Sequence, residues 1–248
     1  MTRIVAVLGL LAITAGEAAA ESVDLELVLL ADASRSIDDG EIRLQRRGYA
    51  AAITYPEVLR AIEQGFDQRI AVTYVEWGDA RSQDVVVPWT IIDGKDSAAA
   101  FAQTLMERRR RAFGPNAIGS ALTVAKGLIE GNEIEGYRKV IDLSADSANS
   151  WDGISLPEAR QSALMADIVI NGRTCSGRPN SYDLEAVFAD RNIGGPASFV
   201  VTADGNDQFA ESVRRKLLLE IAGTMPAGNT VAAARERSGS TMRIERLT

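Results

Sequence analysis

The run from Leu25 to Ala31 (Leu-Glu-Leu-Val-Leu-Leu-Ala) is apolar at every position but Glu26, and it stops at Asp32. A β-strand with no apolar/polar alternation has no face to give to water. It belongs in the middle of a sheet covered on both sides, which is the signature of a parallel sheet sandwiched between helices. The following residues continue in that style. Asp38 and Glu41 stand at capping-box spacing, and Ile42, Tyr49, Ala52 and Ile53 recur at helical spacing behind them. A helix is therefore predicted to start there and fade near Pro56, with a further turn of helix around Val58 to Ile62.

Residues 69–77 and 84–92 are β-rich runs joined by Gly78-Asp79-Ala80-Arg81-Ser82, a connection too short for a crossover helix. These two strands are expected to pair antiparallel. Residues 95–111 read as a helix whose end is the arginine run 108–111, a solvated terminus that can help to choose an acidic partner. Helix 117–129, strand 139–144, helix 157–165, strand 168–171, helix 182–190 and strand 197–202 follow. A closing helix is marked on one face by Phe209, Val213, Leu217 and Ile221. Strands alternating with helices, plus one hairpin, give the α/β class: a doubly wound, mostly parallel open sheet with one antiparallel edge strand and helices on both faces.

With 248 residues and 46% of them apolar, the chain suits one well-buried domain, read as residues 21–222. Ahead of it, Arg3, the apolar run from Ile4 to Ile13 and Ala18-Ala19-Ala20 have the layout of a secretory signal cleaved before Glu21, so the mature chain is expected in the periplasm or outside the cell. Thr14, Gly16 and Glu17 interrupt the apolar run, which argues against stable membrane insertion. Residues 223–248 are rich in Gly, Ala, Arg and Ser without periodicity and read as a mobile tail.

The formal charge of −7 is spread along the sequence and speaks against nucleic acid as a partner. There is no histidine, so imidazole-based nucleophile activation and imidazole metal ligation are both excluded. Any metal has to be held by oxygen. Cys175, the single cysteine, cannot form an intramolecular disulfide; it is either a small buried hydrophobe or a free thiol. Trp77, Trp89 and Trp151 are assigned to the core or its rim.

In doubly wound folds ligands bind beyond the carboxyl ends of the strands, where the strand order reverses. Three loops fall there: Asp32-Ala33-Ser34-Arg35-Ser36, Gly114-Pro115-Asn116-Ala117-Ile118-Gly119 and Leu143-Ser144-Ala145-Asp146-Ser147. Each brings short oxygen side chains to one edge of the sheet. Two carboxylates with neutral oxygens suit a hard divalent cation, Mg²⁺ best, with Mn²⁺ or Ca²⁺ as alternatives. Taken singly, Asp32 and Asp146 are equally well read as residues that end a strand and bond the next turn. Gly114 to Gly119 has the glycine spacing of a P-loop, but Ser120 stands where its phosphate-binding lysine belongs, so ATP is not expected.

Asp-x-Ser-x-Ser after the first apolar strand, an Ile-x-x-Ala-Leu helix start and Ser-x-Asp after a later strand resemble the metal-ion-dependent adhesion site of von Willebrand factor A domains. The resemblance covers Val23 to about Ala222. More narrowly, Tyr74-Val75-Glu76-Trp77, Val87-Pro88-Trp89, Ile193-Gly194-Gly195-Pro196 and Arg215-Lys216-Leu217 are similar to an uncharacterised family of exported bacterial proteins with this fold.

The resemblance implies that Asp32, Ser34, Ser36 and Asp146 are metal ligands, with Asn116 where the family has Thr. Arg35 replaces a frequent Gly and Ser147 the usual Gly after the Asp, which makes the site a degenerate one. Arg35 would stand beside the ion, where it either closes over a partner's carboxylate or simply extends into solvent. It also implies a binding module, not an enzyme, that engages an acidic group of a protein partner through the open metal position. The competing class is a Mg²⁺-dependent phosphoryl-transfer hydrolase with Asp32 as nucleophile; such enzymes carry a second acid two residues on, where this chain has Ser34.

Overall fold

The computed structural model describes residues 20–175, 184–203 and 209–223. Residues 1–19 of the expected export signal (1–20), residues 182 and 183 of the expected helix 182–190, and residues 224–248 of the expected tail (223–248) lie outside the described residues. The predicted central strand is β2 (Leu25–Asp32), every residue of which is buried. It hydrogen-bonds in parallel to β3 (Ile70–Trp77) on one side and β6 (Lys139–Ser144) on the other. β3 pairs antiparallel with the edge strand β4 (Gln83–Ile92), while β7 (Ile168–Cys175) and β8 (Val200–Ala203) extend the sheet in parallel beyond β6. The order is β4-β3-β2-β6-β7-β8. The chain runs outward from β2 to β4, then returns to β6 on the other side of β2, so the order reverses between β2 and β6.

Because side chains alternate along β2, one set of residues feeds each layer. Leu25, Leu27, Leu29 and Ala31 pack with helices α1 (Asp39–Ile53), α2 (Pro56–Glu63), α3 (Lys95–Glu107) and α7 (Phe209–Ala222), through Tyr49, Ile62, Phe101 and Leu217 among others. Val28 and Leu30 pack with α4 (Ile118–Glu130), α5 (Leu156–Met165) and α6 (Leu184–Arg191), through Ile118, Leu122, Ala159 and Phe188. This is the expected doubly wound α/β architecture. The capping box is also present: Glu41 N–H donates to Asp38 Oδ1, and Asp38 N–H to Glu41 Oε2, each at 2.8 Å.

A two-stranded parallel sheet of β1 (Glu21–Val23) and β5 (Ile134–Gly136) was not expected from the sequence. It accounts for the one charge in the apolar run. The buried Glu26 carboxylate accepts the Gly136 backbone N–H at 2.9 Å and the Asn132 amide at 2.8 Å, with Lys139 Nζ at 3.8 Å. β7 also runs four residues past the expected end at Asn171.

The helix expected over 95–111 is too long. α3 ends at Glu107, and Arg108 has extended backbone angles (φ −73°, ψ 144°). The cause lies in α1. Buried Arg46 forms a bidentate ion pair with buried Glu76 on β3, Nε to Oε1 at 2.7 Å and Nη2 to Oε2 at 2.9 Å, and its remaining nitrogen Nη1 donates to the carbonyl of Arg108. That carbonyl is drawn out of the helical ladder towards a fixed cation. The arginine run is thus a non-helical segment that follows α3, anchored by the Arg108 carbonyl and the inward Arg110 with its other side chains exposed.

Candidate metal centre

The capture of Arg108 sets up the site. Two residues on, Arg110 turns inward: its Nη2 donates to the carbonyls of Ala33 (2.7 Å) and Ser34 (3.3 Å), its Nε to Ala112 O (3.1 Å), and its Nη1 to Asp39 Oδ1 (3.1 Å). Ala112 packs with Ala33, Ile37 and Ile42 in a small apolar cluster under the loop that leaves β2. Arg35 N–H then donates to Gly114 O at 2.7 Å. Gly114 has φ +107°, a conformation that strains L side chains, and a Cβ there would lie 2.5 Å from Asp79 Oδ2. From the α1 side, Gln45 donates to Asp32 O at 3.0 Å. The Asp32–Ser36 loop is therefore clamped through its backbone, by the carbonyls of Asp32, Ala33 and Ser34 and the N–H of Arg35, which leaves the side chains of Asp32, Ser34 and Ser36 out of the clamp.

Asp32 ends β2 and is 2% exposed. Its Oδ1 accepts the Ser34 N–H at 2.8 Å, and its Oδ2 accepts the Asp146 N–H at 3.4 Å from beyond the end of β6. Burial pushes the Asp32 carboxyl up to about 7, and the nearby Asp146 carboxylate adds to the rise against the opposing hydrogen bonds. Ser34 is fully buried, and its hydroxyl lies 3.3 Å from that of the exposed Ser36. Asp146 is half-buried.

Asn116 enters from the segment ahead of α4 and is 7% exposed. Its carbonyl accepts the backbone N–H groups of Trp151 (2.7 Å) and Asp152 (3.2 Å), while its side-chain amide makes no hydrogen bond among the described residues. The loop around Trp151 can come this close because Gly119 carries no side chain: a Cβ there would meet Ile154 O at 2.0 Å. The next residue, Ser120, accepts Ile154 N–H at 3.0 Å, a structural use of the position that breaks the P-loop pattern.

The structure thus brings Asp32, Ser34, Ser36 and the backbone of Asp146 together and sets Asn116 at the head of the neighbouring helix. Arg35 stands in the same loop, with its backbone N–H bonded to Gly114 O. It is exposed and forms no ion pair among the described residues. Ser144, within the Ser-x-Asp motif, turns its hydroxyl to the opposite layer, where it meets Tyr49 Oη at 2.9 Å and Arg173 Nε at 3.1 Å. Trp77 is buried and Trp89 half-buried, whereas Trp151 is 72% exposed, so it does not belong to the core. Gln45, Arg46 and Arg110 escaped the sequence reading. The only trace of them was a polar residue on the inner face of an amphipathic helix and an inward arginine within a run of four.

Two carboxylates, two hydroxyls and an unengaged amide form a donor set suited to a hard dication that keeps water in its remaining positions. Among the described residues no group of three or more Asp, Glu, Cys or His could hold an ion. The neutral oxygens would therefore have to complete any coordination shell here.

A six-stranded doubly wound sheet with Asp-x-Ser-x-Ser at the end of its central strand defines the class of von Willebrand A-like domains. Solved structures agree on the fold. Proximal thread matrix protein 1 from the mussel byssus, in the form with a zinc-occupied MIDAS motif, superposes with a TM-score of 0.58 at 16% identity over 82% of this chain and 48% of that one. A von Willebrand factor type A protein from Catenulispora acidiphila gives 0.57 at 18% identity, over 81% and 43%. The vWF domain of the type V pili tip protein Mfa5 from Porphyromonas gingivalis gives 0.55 at 9% identity, over 84% and 98%. The chain spans about half the length of the byssus protein. No curated protein matches. Residues 22–225 match the family described as protein of unknown function (DUF1194), and the chain belongs to that family.

Proposed function

We propose that this chain is an exported, non-catalytic protein-binding module, working in the periplasm or outside the cell. In this reading Asp32, Ser34, Ser36, Asp146 and Asn116 hold a divalent cation, Mg²⁺ or Mn²⁺, and an acidic side chain of a partner takes an open coordination position. The observation that carries the reading is the Asp32 carboxylate. It is almost fully buried at the strand-order reversal, beside a second carboxylate, and among the described residues backbone N–H groups and Ser34 are what offset its charge. Burying a carboxylate in this way is costly, and a dication would supply the missing compensation. When bound, the cation acts as an electrophile for a partner's carboxylate. Asp32 and Asp146 would bring negative charge to it, the hydroxyls and amide would add neutral oxygens while leaving a position open, and exposed Arg35 could reach the incoming group. The byssus neighbour described with a zinc-occupied MIDAS motif supports a site of this general kind.

Calorimetric and thermal-melt titrations with Mg²⁺, Mn²⁺ and Zn²⁺ test it. A ligand that binds only the native state raises its melting temperature. A cation-dependent rise is expected in the native sequence and not in Asp32→Ala or Asp146→Ala. Neither heat nor a shift at millimolar cation would overturn the metal reading. N-terminal sequencing of the native protein tests export, with a start near Glu21 expected.

A further inference from the structure

We infer that the arginine segment is a second recognition element of this site, and that its target is a run of carboxylates in a partner polypeptide. The inference rests on the proposed site in placing the partner at the strand-end face. Arg110 is the inward member of the run, hydrogen-bonded to the Ala33 and Ser34 carbonyls. Its neighbours Arg108, Arg109 and Arg111 are exposed, as is Arg35, whose backbone is bonded to Gly114 in the same segment. None of these four guanidinium groups has an ion-pair partner among the described residues. Of the carboxylates around the segment, Asp39 is paired with Arg110 and Glu76 with Arg46, Asp38 and Glu41 lie in the capping box of α1, Glu107 accepts from the Gln103 amide and Asp79 from the Arg81 backbone N–H.

A protein of net charge −7 thus places four exposed guanidinium groups without an ion pair among the described residues on its proposed metal loop (Arg35) and on the segment that braces it (Arg108, Arg109 and Arg111). Such a placement costs like-charge repulsion unless something anionic binds there, and it focuses attraction on the mouth of the site. One carboxylate suffices for the metal position. Four guanidinium groups on two neighbouring segments call for several more at polypeptide spacing, so the partner presents an Asp/Glu-rich segment.

Fluorescence anisotropy with a labelled octaglutamate peptide tests this, at low and raised salt, with Mg²⁺ and with chelator. The native protein is expected to bind with an affinity that falls as salt rises. Arg109→Gln/Arg111→Gln is expected to weaken binding roughly tenfold with an unchanged melting temperature, since both side chains are exposed and unpaired. Binding that survives chelator and Asp146→Ala but is lost in the double arginine variant would uphold this inference while removing the metal from recognition. Binding lost in chelator and unchanged by the double variant would overturn the inference and leave the metal reading standing. Absence of peptide binding in every condition, or tighter binding of inorganic polyphosphate than of octaglutamate, would overturn it as well.

Discussion

The backbone N–H of Asp146 points at Oδ2 of Asp32 across the ends of two adjacent parallel strands, at 3.4 Å. The same residue therefore both relieves and aggravates the buried carboxylate. Its amide donates to Asp32, while its own carboxylate repels it, and burial outweighs both in pushing Asp32 up to about 7.

Replacing Asp32 by Asn keeps the shape and removes the buried charge. In chelator above pH 7 this variant is expected to be more stable than the native protein by a few kcal/mol, since an uncompensated buried charge costs about that much and the bond lost at the Asp146 amide is long and weak. Denaturant unfolding in EDTA measures the gain. In the same variant, added Mg²⁺ should no longer raise the melting temperature. A loss of stability in EDTA would show that the Asp32 carboxylate is well satisfied without an ion.

Arg46→Ala is expected to destabilise the fold by about 3–5 kcal/mol, because it leaves Glu76 charged in a fully buried position. Arg46→Ala/Glu76→Ala should recover part of that loss, as no unpaired charge then remains. Urea unfolding of the two variants decides. The single variant should also weaken cation binding, because the Arg108 carbonyl loses its anchor and with it the purchase of Arg110 on the loop.

How much of this could be read from the sequence depends on whether a signal was local. β2, the capping box at Asp38 and the carboxylates at the strand ends were legible because each follows from side-chain periodicity or from neighbours within four residues. Arg46, Glu76 and Arg110 were not. Their meaning comes from contacts between positions 30 to 77 residues apart, and a buried bidentate pair looks in sequence like two more surface charges. The β1/β5 ladder was missed for the same reason. Three-residue strands carry no periodicity, and the Glu26 side chain that helps tie them to the main sheet reaches residues more than a hundred positions away. At Arg35 the sequence leaves two readings, a cation beside the ion or a side chain in solvent, because adjacency to two ligand candidates fixes the position of its backbone and not the direction of its exposed side chain.

Glu220 on α7 supplies a pH dependence separate from the site. Burial, and secondarily Asp142, push its carboxyl up to about 7 against the pull of Lys216, whose ammonium sits between Glu220 (2.5 Å) and Asp142 (2.7 Å). A carboxyl that holds its proton more tightly in the folded state contributes stability fully present below the unfolded value of about 4.5, which is lost as pH rises through about 7. Glu220→Gln should therefore flatten the stability profile between those limits, as followed by urea midpoints at a series of pH values. An unchanged slope would mean that Lys216 holds Glu220 ionised throughout.

Trp151 is the natural reporter of the site. It is largely exposed, yet its backbone N–H is bonded to Asn116, whereas Trp77 is buried and Trp89 is held by Leu128 O at 3.1 Å. Cation addition is expected to change the emission of the native protein. Trp151→Phe should remove that change while leaving the calorimetric affinity within about twofold. A signal that persists in Trp151→Phe would place the rearrangement elsewhere, at Trp77 beside Asp32.

Asn116→Asp separates ion binding from partner binding. The Asn116 amide is almost buried at the head of α4 and is not hydrogen-bonded among the described residues, so a carboxylate of the same size fits without disturbing a contact. With Asp32 and Asp146 it would make a third negative ligand. Cation affinity should rise, because each added carboxylate strengthens the field on a hard dication. The electrophilicity left for a partner should fall for the same reason, since three carboxylates more than neutralise a divalent ion. The expected outcome is tighter Mg²⁺ binding by calorimetry together with weaker Mg²⁺-dependent capture of the octaglutamate peptide, while the salt-sensitive part carried by Arg109 and Arg111 stays in place. If both affinities rose together, the partner's carboxylate would not be using the ion, and recognition would rest on the arginine strip alone.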